Sequence, residues 1–337
     1  MDIQAAIKIV IGGKDLSRQD MTAVMQQIMT GECTPAQIGG FLVGLRMKGE
    51  SVDEISAAAT VMRELSTRVD VDAKHLVDTC GTGGDASGSF NISTASAIVA
   101  AAAGAQVAKH GNRSVSSKSG SADVLEAAGV NLDIDAQQVG ACIEEVGVGF
   151  MFAQKHHSAM RNAIGPRKEM AVRTIFNVLG PLTNPAGAPN QVIGVFDGDL
   201  VEPLAHVLKQ LGSRHVMVVH AEDGMDEISI SAKTGVAELK NGEVSSYTIS
   251  PEDFGLVAAD SGTLKVDSVE ESLAMIQSVL ANNPGPALDI VSMNAGAAIY
   301  VSGVADSLAA GIQKARDAIA DGSAAKVLAD LVAKSNS

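Results

Sequence analysis

The chain has no tryptophan, two tyrosines and seven phenylalanines, so aromatics are 3% of its 337 residues. Its core must therefore be built from Ala, Val, Ile, Leu and the 13 methionines. Cysteine is scarce as well. Cys33, Cys80 and Cys142 are odd in number and widely spaced, which excludes a disulfide framework or a thiolate metal site and implies reduced, mostly buried thiols. No apolar run reaches the roughly 18 residues of a membrane span, and Met1-Asp2-Ile3-Gln4 lacks the basic start of a secretory signal. A cytoplasmic protein with no membrane contact is expected. Cations are the last shortage: 25 Lys and Arg stand against 39 Asp and Glu, a formal net charge of −14. Such a chain repels nucleic acid, whose affinity comes largely from phosphate neutralisation, so no nucleic-acid partner is expected. It can hold a small, strongly anionic ligand only with locally concentrated cations or a metal.

A hydrophobic content of 46% excludes disorder, and the length allows a large core and two domains. Three helix starts are written in residues 17–65. Ser17-x-x-Asp20 opens one, and Thr34-Pro-Ala-Gln37 and Ser51-x-x-Glu54 are capping boxes. Strand–helix alternation then begins near Leu76 and passes through Val107, Phe150, Val192 and Val216. Between Phe152 and Gln191 the pattern turns helical again. Pro166 is expected as a first helical residue, with 167–179 following and Gly180-Pro181 as the stop. Asn241-Gly242 marks a hairpin within 237–244, and the chain is helical from Val269 onward. The reading is an α/β fold: a small discontinuous helical domain, residues 1–70 with an insert of about 158–185 packed on it, and a larger α/β domain. That larger domain, residues 71–157 and 186–337, carries a central, mostly parallel sheet flanked by helices.

The most informative stretch is Asp78-Thr-Cys-Gly-Thr-Gly-Gly-Asp-Ala-Ser-Gly-Ser-Phe-Asn-Ile-Ser-Thr94. A short apolar run leads in and an alanine-rich helix leads out. Helix N-termini expose N–H groups and a positive dipole end to anions, and Gly81, Gly83 and Gly84 let backbone approach a large anion. The loop is neither a P-loop, having no lysine after its glycines, nor a Gly-x-Gly-x-x-Gly fingerprint. A plain strand-to-helix turn is the competing reading. Lys109-His-Gly-Asn-Arg-Ser-Val-Ser-Ser-Lys-Ser-Gly-Ser121 strengthens the ligand reading. It follows an apolar strand at 106–108 and runs into a helix for which Ser121 is the expected N-cap. Open α/β sheets bind ligands at the carboxyl ends of their strands, so two such loops with N–H groups, hydroxyls and cations suit a multiply charged phosphate ligand. Lys109, Arg113, Lys118 and Arg167 are the candidate cations.

Asp226 and Glu227 follow Gly224 in a loop after the apolar run 216–219. Magnesium takes one or two carboxylates plus water and phosphate oxygens, although spacing alone favours a solvated acidic loop. His110 lies between shaping a pocket and packing the loop. No histidine spacing suggests zinc, and no nucleophile elbow is present.

Gly81-Thr-Gly-Gly-Asp85, Asn91-Ile-Ser-Thr94, Lys109-His-Gly-Asn-Arg113, Ser119-Gly-Ser-Ala-Asp-Val-Leu-Glu126, Arg173-Thr-Ile-Phe-Asn-Val-Leu-Gly-Pro-Leu-Thr-Asn-Pro185 and Gly224-Met-Asp-Glu227 together resemble the anthranilate phosphoribosyltransferases. The resemblance covers nearly the whole chain in order, with Gln154 where the family often has proline. It implies transfer of the phosphoribosyl group of 5-phosphoribosyl 1-pyrophosphate to anthranilate in tryptophan biosynthesis, through an oxocarbenium-like displacement with no covalent intermediate. The fold is shared with pyrimidine nucleoside phosphorylases, so a phosphorylase is the second reading and a non-catalytic nucleic-acid-binding relative the third. The resemblance assigns the phosphoribosyl donor to Gly81, Gly83, Gly84, Asp85, Ser89, Asn91, Ile92, Ser93, Thr94, Lys109, His110, Gly111, Asn112, Arg113, Ser114, Val115, Ser116, Ser117 and Ser121. It assigns anthranilate to Gly81, Asn112, Arg167 and His110, and magnesium, two ions per subunit, to Ser93, Asp226 and Glu227. A planar guanidinium at Arg167 suits a benzoate carboxylate. The resemblance also points to a homodimer through the helical domain, with Ile38, Phe41, Leu42 and Leu45 as the apolar stripe expected to need a partner.

Overall fold

A computed structural model describes residues 1–114 and 118–337; Val115, Ser116 and Ser117 lie outside the described residues. The chain opens with four helices, α1 (Ile3–Ile11), α2 (Arg18–Thr30), α3 (Pro35–Lys48) and α4 (Val52–Glu64). Their starts follow the local chemistry of the sequence. Ser17 Oγ accepts from the Asp20 N–H at 3.1 Å, and Thr34 and Ser51 each form a reciprocal capping box with the residue three positions on.

The α/β part runs β1 (Leu76–Asp78), α5 (Ile92–Ala102), β2 (Gln106–Gly111), α6 (Ser121–Ala127), α7 (Ala136–Val146) and β3 (Val148–Phe152). A helical stretch interrupts it: α8 (Ala153–His156), α9 (Arg161–Met170) and α10 (Phe176–Leu182). It resumes with β4 (Asn190–Gly194), α11 (Val201–Gln210), β5 (His215–Ala221), β6 (Thr234–Lys240) and β7 (Glu243–Ile249). It closes with α12 (Val269–Leu280), α13 (Pro286–Val301), α14 (Leu308–Ala320) and α15 (Ser323–Ser335). The seven strands form one sheet in the order β3-β2-β1-β4-β5-β6-β7. The first five are parallel; β6 and β7 add antiparallel. Asn241 (φ 54°) and Gly242 (φ 79°) make the tight turn between those last two.

Strand alternation sorts side chains into two cores. Met217 and Val219 of β5 join the core with α5 and α13, while Val216 and Val218 join the core that continues into α1–α4. That second core also takes Ala163 of α9 and Phe176, Val178, Leu179 and Leu182 of α10, and α9 packs on α2 and α3, α10 on α4. The helical segment after β3 is thus built onto the N-terminal helices. Strand order reverses at the β1–β4 boundary, which is where an open parallel sheet leaves a crevice above its strand ends.

Four local expectations are corrected. Pro166 is inside α9, not at its start, because a 3-10 turn at Ser158–Met160 carries the chain into the helix early. The expected continuous helix over 167–179 is broken where Ala171 turns left-handed at φ 51°, and α10 then runs through Gly180 and Pro181. Ser121 is the first residue of α6, and Gly120 holds the N-cap. The apolar stripe Ile38, Phe41, Leu42 and Leu45 is already fully buried within the chain, packed in the core that also takes in α1 and α9.

Candidate active site

β1 ends at Asp78 and releases the glycine-rich loop into α5. Positive φ angles at Gly83 (66°), Gly84 (80°) and Gly88 (68°) fold the loop over the strand ends. A side chain at Gly81 would press on Asp226 Oδ2 at 3.1 Å and on the Gly194 carbonyl at 3.2 Å, so glycine there allows the loop to touch the acidic segment. Thr82 N–H donates to the Gly194 carbonyl at 2.8 Å, and Gly83 N–H donates to Asp226 Oδ2 at 2.8 Å. Ser89 bridges to Lys265, and Phe90 N–H donates to the Leu264 carbonyl at 2.9 Å. Asn91 caps nothing with its side chain. Its Oδ1 accepts from Ser119 at 2.6 Å and Ser272 at 2.7 Å, and its Nδ2 donates to the Ser119 carbonyl at 3.1 Å. The glycine-rich loop is thereby tied to the end of the segment that follows β2. Ile92 opens α5 and is buried; Thr94 is also buried, and its Oγ1 has no partner among the described residues.

Lys109, His110 and Gly111 are not loop residues. β2 extends through them because β3 supplies partners, Lys109 facing Phe150, His110 facing Met151 and Gly111 facing Phe152. Lys109 is 2% exposed. Its ammonium donates to the Thr79 carbonyl at 2.9 Å and to Ser93 Oγ at 3.3 Å, so it braces the loop from below. Arg113 is turned to α6. It pairs with Asp123 at 2.9 Å and Glu126 at 2.8 Å, carboxylates one helical turn apart that face it together. Ser114 N–H donates to Asp123 at 3.1 Å, and Ser121 Oγ to the Asn112 carbonyl at 3.3 Å.

Asp226 and Glu227 are half-buried, not the solvated loop that spacing favoured. A cavity of about 10 Å³, room for one water, brings them together with Gly81, Ser93, Ser96, Gly194 and Asn294. Burial, then the charge of Asp85, raises the Asp226 carboxyl; burial, then the charge of Asp226, raises Glu227 well above the carboxylate range. Lys109 opposes the second shift. Two carboxylates pressed together in a desolvated place, with hydroxyl and phosphate-loop N–H groups beside them, suit a hard divalent cation. Among the described residues no set of three His, Cys, Asp or Glu forms a metal cage. Magnesium needs none, since it keeps positions for water and phosphate oxygens.

On the helical insert, α10 holds two contacts. Arg167 lies over the Phe176 ring with its guanidinium carbon 5.0 Å from the centroid, and the Gly180 carbonyl is 3.2 Å from His110 Nδ1. Arg167 is half-buried, burial lowers its pKa, and it makes no ion pair among the described residues. His110 and His157 face each other with ring centroids 5.1 Å apart, and the Nε2 of each is buried without a partner among the described residues. Burial, then the neighbouring histidines, pushes His110 down to about 3 and His157 down to about 4, so both are neutral. His157 was not expected at the site; the paired histidines at 156 and 157 after the β3 strand were its only sign. Asn112 Oδ1 receives the Arg113 N–H at 2.8 Å and is 3.5 Å from Gln154 Nε2. Below both halves, Asp78 accepts from the His110 N–H at 3.1 Å and from Asn184 Nδ2 at 2.6 Å.

Both parts of this architecture match one class. Residues 4–66 match the helical bundle domain, and residues 73–325 the α/β domain, of a glycosyl transferase family. Anthranilate phosphoribosyltransferase of Thioalkalivibrio sulfidiphilus is 69% identical over 332 residues, 98% of each chain. The enzyme of that name from Alkalilimnicola ehrlichii is 62% identical over 328 residues, 97% of each. The Thermus thermophilus anthranilate phosphoribosyltransferase superposes with a TM-score of 0.94 at 43% identity, covering 98% of this chain and 99% of that one. The Saccharomyces cerevisiae enzyme in complex with PRPP and Mg gives 0.90 at 25% identity, covering 99% and 98%. The chain belongs to the anthranilate phosphoribosyltransferase family. No helix among the described residues is long and apolar enough to cross a membrane.

Proposed function

We propose that this chain transfers the phosphoribosyl group of 5-phosphoribosyl 1-pyrophosphate to the amine of anthranilate, releasing pyrophosphate, in the cytoplasmic synthesis of tryptophan. The observation that carries this is convergence at the β1–β4 switch point. The glycine loop's N–H groups, the α5 start, a buried lysine and a hard-oxygen carboxylate pair meet in one crevice, and an arginine with no carboxylate partner among the described residues stands on the neighbouring insert.

In this reading the donor lies on Gly81, Gly83, Gly84 and Asp85, with its 5-phosphate at Asn91, Ile92, Ser93 and Thr94. Ser89 and the segment from Lys109 through Ser121 border it; Lys109 acts by bracing Thr79 and Ser93. Ser93, Asp226 and Glu227 would hold magnesium, two ions per subunit, and bound magnesium offsets the charge that develops on the departing pyrophosphate. Arg167 takes the anthranilate carboxylate, with Gly81, Asn112 and His110 completing the pocket. The C1–O bond to pyrophosphate breaks, pyrophosphate leaves with the electron pair, and the amine nitrogen forms the C1–N bond. That nitrogen attacks as a neutral amine and releases one proton to water once the bond has formed, so no strong base is needed. Neutral His110 and His157 wall the pocket without adding positive charge beside Arg167. The protein's contribution is placement and charge stabilisation.

We also infer a helical domain of residues 1–70 with the insert 158–185, and a homodimer through that domain. Its support is an outward apolar face, not the buried stripe: Ile11 is 68% and Met47 84% exposed. Light scattering of a fully active monomer at micromolar concentration would remove the dimer. The activity itself is tested by mixing chain, magnesium, anthranilate and phosphoribosyl pyrophosphate and following anthranilate fluorescence. A decay that needs all four components is the expected result, and no decay overturns the reading.

A further inference from the structure

Arg173 lies in the segment joining α9 to α10, on the same helical insert as Arg167. Its guanidinium carbon sits 3.9 Å from the centroid of the Phe196 ring, a contact that fixes the plane of the group. Phe196 is itself attached to the donor loop, its N–H donating to Thr82 Oγ1 at 3.1 Å. One arm of the guanidinium, Nη2, donates to the Gly84 carbonyl. A side chain at Gly84 would come to 3.1 Å from the same nitrogen, so the glycine clears the space that the arginine fills. Arg173 therefore spans from the acceptor-bearing insert to the donor-bearing loop, held at one end by a ring and at the other by a carbonyl.

The charge of this residue is unmatched. Arg113 is paired with Glu126 and Asp123, and Lys109 is buried below the loop. Arg173 forms no ion pair among the described residues and is exposed to the crevice side of the insert. Guanidinium presents five N–H donors in a fixed fork, of which the Gly84 contact uses one. The remaining donors stand beside Gly84, on a loop whose Gly83 N–H is already taken by Asp226.

Resting on the phosphoribosyl-transfer reading, we propose that Arg173 is a further residue of the reaction. It holds the Gly84 carbonyl so that the loop's N–H groups face the ligand, and its free guanidinium N–H groups receive the pyrophosphate as it leaves. The placement also links the two substrates, because the insert that carries Arg167 also carries Arg173 onto the donor loop. Hydrogen bonds from guanidinium to phosphate oxygens are charge-assisted and geometrically specific.

The test uses full-length protein with Arg173→Ala, Arg173→Gln and Arg173→Lys, and magnesium pyrophosphate as the probe in calorimetry, alongside both KM values, kcat and the melting temperature. Gln keeps a donor for the Gly84 carbonyl and removes the charge; Lys keeps the charge and removes the planar fork. Arg173→Gln should bind magnesium pyrophosphate on the order of tenfold more weakly, the loss expected for one hydrogen bond to a charged group. Its KM for anthranilate should stay nearly unchanged, kcat should fall, and Arg173→Lys should recover part of both losses. If Arg173→Ala is too unstable to assay, the Gln and Lys pair decides. Pyrophosphate affinity and kcat equal to the parent chain in Gln and Lys, with the parent active, overturn the role of Arg173 alone. A parent chain that neither binds magnesium pyrophosphate nor forms product overturns the phosphoribosyl-transfer reading and this proposal with it.

Discussion

Replacing Arg167 with alanine separates the two substrates. Arg167 is half-buried, stacked over Phe176 at 5.0 Å and without an ion-pair partner among the described residues. An Arg–carboxylate pair broken inside a site costs roughly 2–5 kcal/mol. Water reaches a half-buried group, so the lower end applies, about 2 kcal/mol. At about 1.4 kcal/mol per decade, the apparent KM for anthranilate should rise roughly thirtyfold while that for phosphoribosyl pyrophosphate stays nearly unchanged. Stability should suffer little, because the substitution removes a single cation–π stack from the fold, about 0.5–1 kcal/mol. For a chain of this size that is no more than about 2–4 °C in melting temperature. The assay is a pair of saturation curves, each substrate varied with the other in excess, and a thermal melt. Arg167→Lys is the control: it keeps the charge, loses the fork, and should fall between. Equal rises in both KM values together with a large fall in melting temperature would refute the reasoning, since they would make Arg167 a packing residue of the insert.

Removing Asp226 and Glu227 together (both to Ala) should abolish both turnover and any rise in melting temperature on adding magnesium, while the metal-free variant should be no less stable than the parent at neutral pH, because two mutually repelling carboxylates have been taken from a desolvated place; a variant that magnesium still stabilises would remove the metal assignment. Arg113→Ala should leave the KM for phosphoribosyl pyrophosphate unchanged, since Arg113 answers Glu126 and Asp123, whereas Lys109→Ala should lower kcat and melting temperature together, since Lys109 braces Thr79 and Ser93 from a buried position; the opposite pattern in steady-state kinetics would reverse these roles. Burial alone would raise Glu238, but hydrogen bonds from His215, Tyr247 and Tyr300 outweigh it and hold it down to about 2. A depressed carboxyl gives stability that is present above its unfolded pKa and lost as pH falls through the folded value. Glu238→Gln should thus be less stable than the parent at pH 7 and approach it near pH 2 in urea melts; an equal gap at both pH values would contradict this.

What could be read from the sequence was local. Ser17, Thr34 and Ser51 start helices because the capping partner sits three residues away, and Asn241-Gly242 turns a hairpin because two adjacent residues accept positive φ. What failed was decided from a distance. Pro166 marks a helix start by local rule, yet the chain was already helical when it reached it. The strand at Gln106 looked finished at Ala108, yet β3 pairs three more residues and so moves Lys109 and His110 from loop to sheet. Spacing alone placed Asp226 and Glu227 in solvent. The contact that contradicts this, Gly83 to Asp226, spans 143 positions and exists only because β4 and β5 stand beside β1. The family motifs pointed to that acidic pair because a motif carries the record of a fold, not of a spacing. The same distinction explains Arg113 and Arg173. The sequence offered Arg113 as a ligand cation and passed over Arg173. Only the packing of α6 gives the first two carboxylates to answer, and only the return of the insert over Gly84 sets the second above the glycine-rich loop with no ion pair among the described residues. In an acidic chain, the cation that matters is the one the fold has not already neutralised.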